Sequence, residues 1–125
     1  MILVTRLRSE AADVLAPDGS EVRLLASASR GSMAQFRLPP GAVSIAMAHR
    51  TVEEVWLVLQ GRGRMWRKLG AEEATVDLLP GVSITIPVGA SFQFRNDGDQ
   101  PLDCVGVTMP PWPGMDEADA VDGVW

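Results

Sequence analysis

The chain has a single cysteine, a single histidine and little positive charge, and each shortage removes a class of function. One cysteine cannot close an intrachain disulfide, which excludes the disulfide-stapled small secreted domain. Cys104 sits in the strand-like run LDCVGVTM, where a small buried hydrophobe is the expected role, and no basic neighbour in sequence marks it as a reactive thiol. No stretch approaches the ~20 apolar residues of a membrane span. MILVTRLRSE places its charges after a very short apolar run, unlike a signal peptide, so a cytoplasmic protein is the expectation. A formal charge of −5 leaves no basic field to offset phosphate repulsion, which argues against nucleic acid or an anionic membrane as partner. Arg62, Arg64, Arg67 and Lys68 are a local exception and read as a solvated hairpin, with an anionic-ligand rim as the lesser reading. There is no G-x-S-x-G, and Cys104 and Ser91 lack an identifiable base. Gly61-Arg62-Gly63 has no helix after it to cradle a phosphate.

At 125 residues, 46% hydrophobic and 22% charged, the chain has the size and make-up of one globular domain. No window of helical period is long enough to use. Short apolar or alternating runs recur instead, separated by Gly/Pro turns. ILVTRL and EVRLLAS read as strands around the turn Pro17-Asp18-Gly19, and SMAQFRL as a third strand stopped by Pro39-Pro40-Gly41. After the hairpin at Gly61-Arg62-Gly63, RMWRK reads as a strand and LGAEEA as an exposed charged loop. TVDLLP, VSITIP, SFQFR and LDCVGVTM complete about ten short strands, an all-β sandwich or barrel.

Gly41 to Gly61 organises the rest. Val43, Ile45, Met47 and His49 alternate with Ala42, Ser44, Ala46 and Ala48, so the only histidine points with three large apolar residues toward a core or a lined cavity. Glu54 follows after a turn. In VWLVLQ both faces are apolar, so the strand needs cover on each side, from the opposing sheet, the N-terminal strands or a partner subunit.

This stretch resembles the first motif of the cupins, G-x5-H-x-H-x(3,4)-E-x6-G, through Gly41, His49, Glu54 and Gly61, with Met47 at the first histidine position. The second motif, G-x5-P-x-G-x2-H-x3-N, is matched by Gly81, Pro87, Gly89 and Asn96, with Phe92 in place of its histidine. The resemblance implies a double-stranded β-helix, or jelly roll, over residues 1–109. It also implies a homodimer, since small cupins commonly pair through their sheets. Residues 110–125, rich in proline and acid, are expected to lie across the barrel or a partner, pinned by Trp112 and Trp125. In metal-binding cupins three histidines and the glutamate are the ligands, and this chain retains His49 and Glu54 alone. That set is short of what zinc or non-haem iron takes, so no cofactor is expected; a site for Fe, Zn or Mn on His49 and Glu54 is the alternative.

The expected site is thus a polar pair, His49 and Glu54, inside walls of Val43, Ile45, Met47, Trp56, Val58, Phe92 and Phe94. Apolar walls around a few convergent polar groups suit a small organic metabolite. With His49 as base and Glu54 as its partner or acid, the pair would serve a metal-independent isomerase, lyase or cyclase step. A non-enzymatic binding module with the same cavity, and a filled core with no cavity, are the alternatives. Arg64 and Trp66 either close one mouth of the barrel or lie on its surface.

Overall fold

The computed structural model describes residues 2–125, in which eleven strands form and one 3-10 turn at Met115–Glu117 is the sole helical element. Strands β1 (Val14–Leu15), β2 (Glu21–Ser27), β3 (Ser32–Leu38), β5 (Glu53–Gln60), β8 (Ser83–Ile86) and β10 (Leu102–Met109) build a first sheet in the order β1-β2-β3-β10-β5-β8. Strands β4 (Met47–His49), β6 (Gly63–Leu69), β7 (Glu72–Leu78), β9 (Ser91–Asn96) and β11 (Ala118–Ala120) build a second in the order β11-β4-β9-β6-β7. Every pairing is antiparallel. From β3 onward the chain changes sheet at each step except the β6–β7 hairpin, which is the jelly-roll winding. No helix among the described residues is long and apolar enough to cross a membrane.

Strand parity decides what faces inward. On β5, Glu54, Trp56 and Val58 are buried while Val55, Leu57 and Leu59 point out and stay substantially exposed. Phe36 and Leu38 of β3, Leu102 and Cys104 of β10, and Met65, Phe92 and Phe94 of the second sheet meet them in one core. Trp56 stacks on Phe36 at 4.8 Å between ring centroids and meets Phe94 edge-on at 5.1 Å. Each such ring contributes about 1.5–3 kcal/mol by leaving water, so this cluster holds the two sheets together. Burial first, and the Asp103 carboxylate second, push the Cys104 thiol up to about 12, so it packs as an inert hydrophobe.

Three local expectations are corrected. ILVTRL is not a strand: residues 2–7 are exposed and unpaired with either sheet. The chain instead joins the sheet at β1, where the buried Arg23 donates to the carbonyls of Ser9 and Glu10 and Asp13 accepts from the Leu24 N–H. Polar ties a few residues on outcompete a short apolar run with nothing to cover it. Gly61-Arg62-Gly63 is not a hairpin, because β5 and β6 belong to different sheets; it is the corner between them. Finally, LGAEEA is not a loop. Gly70, at φ 60°, makes the turn, and Glu72 onward pairs with β6 as the outermost strand, where its charged side chains remain solvated.

Candidate functional site

One end of the barrel carries a polar ring. Reading across the first sheet in register, Ser32, Thr108, Glu54 and Ile86 lie side by side, all at inward positions. The opposite sheet supplies His49 at the end of β4 and Phe92 at the start of β9. Below this ring Phe36, Trp56, Val58, Met65 and Phe94 make an apolar core, and Glu54 and His49 are buried ionisable side chains over it. The two are 5% or less exposed.

His49 Nδ1 stands 3.9 Å from Glu54 Oε2, too far for a hydrogen bond, and is buried without a partner. The indole N–H of Trp56 donates to the same Oε2 at 3.1 Å. Burial pushes the Glu54 carboxyl up to about 8, with the Trp56 hydrogen bond opposing and the buried Asp18 adding to the rise, so it is protonated at neutral pH. Burial also holds His49 below its ordinary range, against the pull of the Glu117 carboxylate. Both groups are therefore uncharged near pH 7, one an acid and the other a base. Ser32 Oγ and Thr108 Oγ1 lie 2.5 Å apart beside them.

Five of the expected wall residues, Met47, Trp56, Val58, Phe92 and Phe94, are buried in the barrel. Val43 and Ile45 are not: they are 43% and 54% exposed. The strand alternation that placed them inward breaks after Gly41, because only Met47–His49 is regular strand. Ser44 turns in instead, its Oγ accepting from the Phe94 N–H and its backbone N–H donating to the Phe94 carbonyl. Ala46 is then buried next to Met47, which shifts the face by one residue. Arg64 and Trp66 are on the outer face of the second sheet, paired with Asp97 and Glu73.

The C-terminal segment completes the site. Trp112 meets the His49 imidazole edge-on at 5.3 Å, and Phe92 meets it at 5.1 Å, so the ring is held between two aromatics. The Trp112 backbone N–H donates to Ser32 Oγ at 3.0 Å. Glu117, buried, accepts from the backbone N–H of Thr51 and Val52 and from Thr51 Oγ1, which fixes the turn between His49 and Glu54. Burial would raise this carboxyl, but those hydrogen bonds and His49 together bring it below its ordinary range. Strand β11 adds to β4, and Gln93 Oε1 accepts from the Val124 and Trp125 N–H groups. Sequence reading missed Ser32, Thr108 and Glu117. The first two were legible only from the parity of β3 and β10, and Glu117 sits in an acidic run that looks solvated.

A metal of the kind the fold commonly holds does not fit this donor set. Met47 and Phe92, register partners on β4 and β9, fill the remaining histidine positions with a thioether and a ring. Among the described residues no third His, Cys, Asp or Glu joins His49 and Glu54. A cleft of about 390 Å³ is lined by Arg62, Arg64, Asp77 and Asp97, and one of about 150 Å³ by Arg67, Ala74, Thr85 and Pro87. Neither includes His49 or Glu54.

Comparison with known proteins agrees with this architecture. The cupin domain family matches residues 34–108. An uncharacterized protein of Methanocaldococcus jannaschii is 28% identical over 100 residues, covering 76% of this chain and 77% of the relative. The crystal structure of BH2720 from Bacillus halodurans is similar at TM-score 0.67 and 20% identity, over 74% of this chain and 72% of that one. The capsular polysaccharide assembling protein CapF of Staphylococcus aureus superposes at TM-score 0.76 and 16% identity, over 95% of this chain but 33% of that chain. Oxalate decarboxylase from Bacillus subtilis gives 0.70 and 17%, over 82% of this chain and 28% of the enzyme. At such identities these structures speak for the fold. With both glycine motifs at barrel corners, His49 and Glu54 together at its mouth, and a family match spanning β3 to β10, the chain belongs to the cupin family.

Proposed function

We propose that this cupin binds a small organic molecule at the barrel mouth and moves a proton on it without a metal, in an isomerase-, lyase- or cyclase-type step. The observation that carries the reading is the buried, uncharged pair. An imidazole with an unpartnered nitrogen faces a carboxyl that burial keeps protonated. Such a pair is primed for concerted acid–base work at neutral pH. A substrate carbonyl docked against both side chains would lose a proton from its adjacent carbon to the His49 imidazole. The electron pair would move onto the carbonyl oxygen, which takes the Glu54 proton. Trp56, bonded to Oε2, holds the carboxyl in place and leaves Oε1 to carry that proton. Ser32 and Thr108 offer further hydrogen bonds to the substrate.

The test is deuterium uptake from D2O into a panel of small hydroxy- and keto-compounds, followed by mass spectrometry. Wild type is expected to catalyse exchange on at least one of them, and His49→Gln to slow it by about 10²–10⁴-fold. Equal exchange by His49→Gln would remove the base from the scheme.

We also propose that a second copy of the chain covers the outer face of the first sheet. Val55, Leu57 and Leu59 stand 44%, 41% and 47% exposed there, and Met33 of β3 adds to the same surface. Apolar residues on both faces of one strand call for a layer on each side. Light scattering on the eluted protein is expected to give twice the chain mass, and Leu57→Arg to give a monomer that keeps the wild-type circular dichroism. A monomeric wild type at micromolar concentration would leave that face without its partner.

A further inference from the structure

Neither of those two clefts includes His49, and a ligand at the barrel mouth would need a place beside it. What occupies the place is Trp112. Its indole lies edge-on against the imidazole at 5.3 Å, opposite Phe92 at 5.1 Å, and stops short of being fully buried itself. Resting on the proposed function, we infer that Trp112 holds the place of the ligand, and that the ligand is an uncharged planar aromatic whose ring replaces the indole beside His49.

The loop that carries Trp112 is built to be displaced without unravelling the segment. Residues 110–114 have no regular structure, and the backbone bond from Trp112 to Ser32 Oγ is a single tie to a side chain. Firmer anchors lie on both sides. Before the loop, β10 is paired on two edges. After it, Glu117 holds the Thr51 and Val52 N–H groups, and Ala118–Ala120 pairs with β4. Gly114, at φ 141°, supplies a position between loop and anchor with backbone freedom that other residues lack. Swinging out residues 110–114 would free an indole-sized slot and release the Ser32 hydroxyl to meet a polar substituent.

The walls of that slot set the ligand class. Rings meeting edge to face favour another ring over a flexible chain, because the aromatic quadrupoles align and little rotamer freedom is lost. The titratable groups facing the slot are His49 and Glu54, both neutral near pH 7, and Glu117 carries its negative charge close behind His49. Arg67, the register partner of Phe92, donates to the Thr85 carbonyl, and Arg50 is paired with Asp119, so an anion beside His49 would lose its hydration next to the Glu117 charge.

The test uses the full chain with indole as probe and benzoate as its anionic counterpart. Because His49 is the only histidine, its imidazole signals in NMR report the slot alone. In wild type, saturating indole is expected to shift the His49 signals and move the Trp112 indole resonance to a solvent-exposed position. Trp112→Gly is expected to bind indole at least 10-fold more tightly, with benzoate at least 10-fold weaker than indole in both proteins. If indole binds Trp112→Gly while wild-type His49 and Trp112 signals stay unmoved, Trp112 is an ordinary packing residue and the inference fails. Equal binding of benzoate overturns the ligand class. Should the variant not fold, the wild-type titration decides by itself. Indole entry with no deuterium exchange on any compound would retain this inference and discard the proton-transfer chemistry; exchange confined to non-aromatic compounds would do the reverse.

Discussion

Raising the pH from 5 to 9 is expected to strip several kcal/mol from the folding stability of the wild type, and Glu54→Gln is expected to abolish most of that loss. In the unfolded chain the Glu54 carboxyl ionises near its ordinary 4.5, whereas in the barrel it holds its proton up to about 8. Between those values the folded state binds the extra proton, so stability falls as pH rises and the full loss is in place above pH 8. The difference corresponds to about 5 kcal/mol as an upper figure, a large part of the 5–15 kcal/mol typical of a domain. Asp18, also raised by burial, acts in the same direction. His49 acts on the other side: held below its ordinary range, it keeps its stability contribution above about pH 6.5 and loses it on acidification. The glutamine variant retains the shape of the side chain and an acceptor for the Trp56 N–H while removing the titration. Urea melts at pH 5, 7 and 9 measure this directly. A wild-type curve that is flat across that range, or one that Glu54→Gln leaves unchanged, would show that Glu54 is ionised in the barrel and would take the acid out of the proposed chemistry.

The second large effect belongs to Gly63→Ala, which is expected to cost more than about 4 kcal/mol or to prevent folding. A Cβ at Gly63 would sit 1.9 Å from the Arg95 carbonyl oxygen and 2.9 Å from Leu102 Cδ2. The oxygen cannot retreat, because Arg95 is in the middle of the sheet, paired with Arg64 in the register that also joins Gly63 to Asn96. Relief would require β6 and β9 to part at the corner where the chain passes between sheets. Gly89→Ala is the control. It strains a backbone at φ 79° but meets nothing within 4 Å, so its expected cost is about 1 kcal/mol. Thermal melts of the two variants should therefore separate sharply. Similar melting temperatures would mean that the corner is looser than the packing of Leu102 and Arg95 requires.

Gly63 also illustrates what was legible in the sequence. That a glycine was needed after Gln60 followed from the spacing, but a hairpin and a sheet-to-sheet corner ask for the same permissive residues. Only the pairing of β6 with β9 rather than β5 separates them. Likewise the run from Gly41 to His49 alternates cleanly on paper. Its face nonetheless shifts by a residue because Ser44 finds a backbone partner in Phe94 on the neighbouring strand β9, 50 residues away in the chain. Long-range hydrogen bonds of this kind leave no periodic trace.

The sequence by itself determined the all-β class, the placement of most turns, and the approach of His49 to Glu54. Each rests on local chemistry: Gly and Pro at chain reversals, period-two burial in short strands, and two motifs at fixed spacing. Tertiary structure alone decided the electrostatic state of the pair, since depth of burial is what keeps Glu54 protonated and His49 neutral. It also decided that Trp112 packs on His49 and that Glu117 anchors the segment that follows it. Those contacts join residues about 60 positions apart, and a chain discloses such meetings only once it has closed on itself.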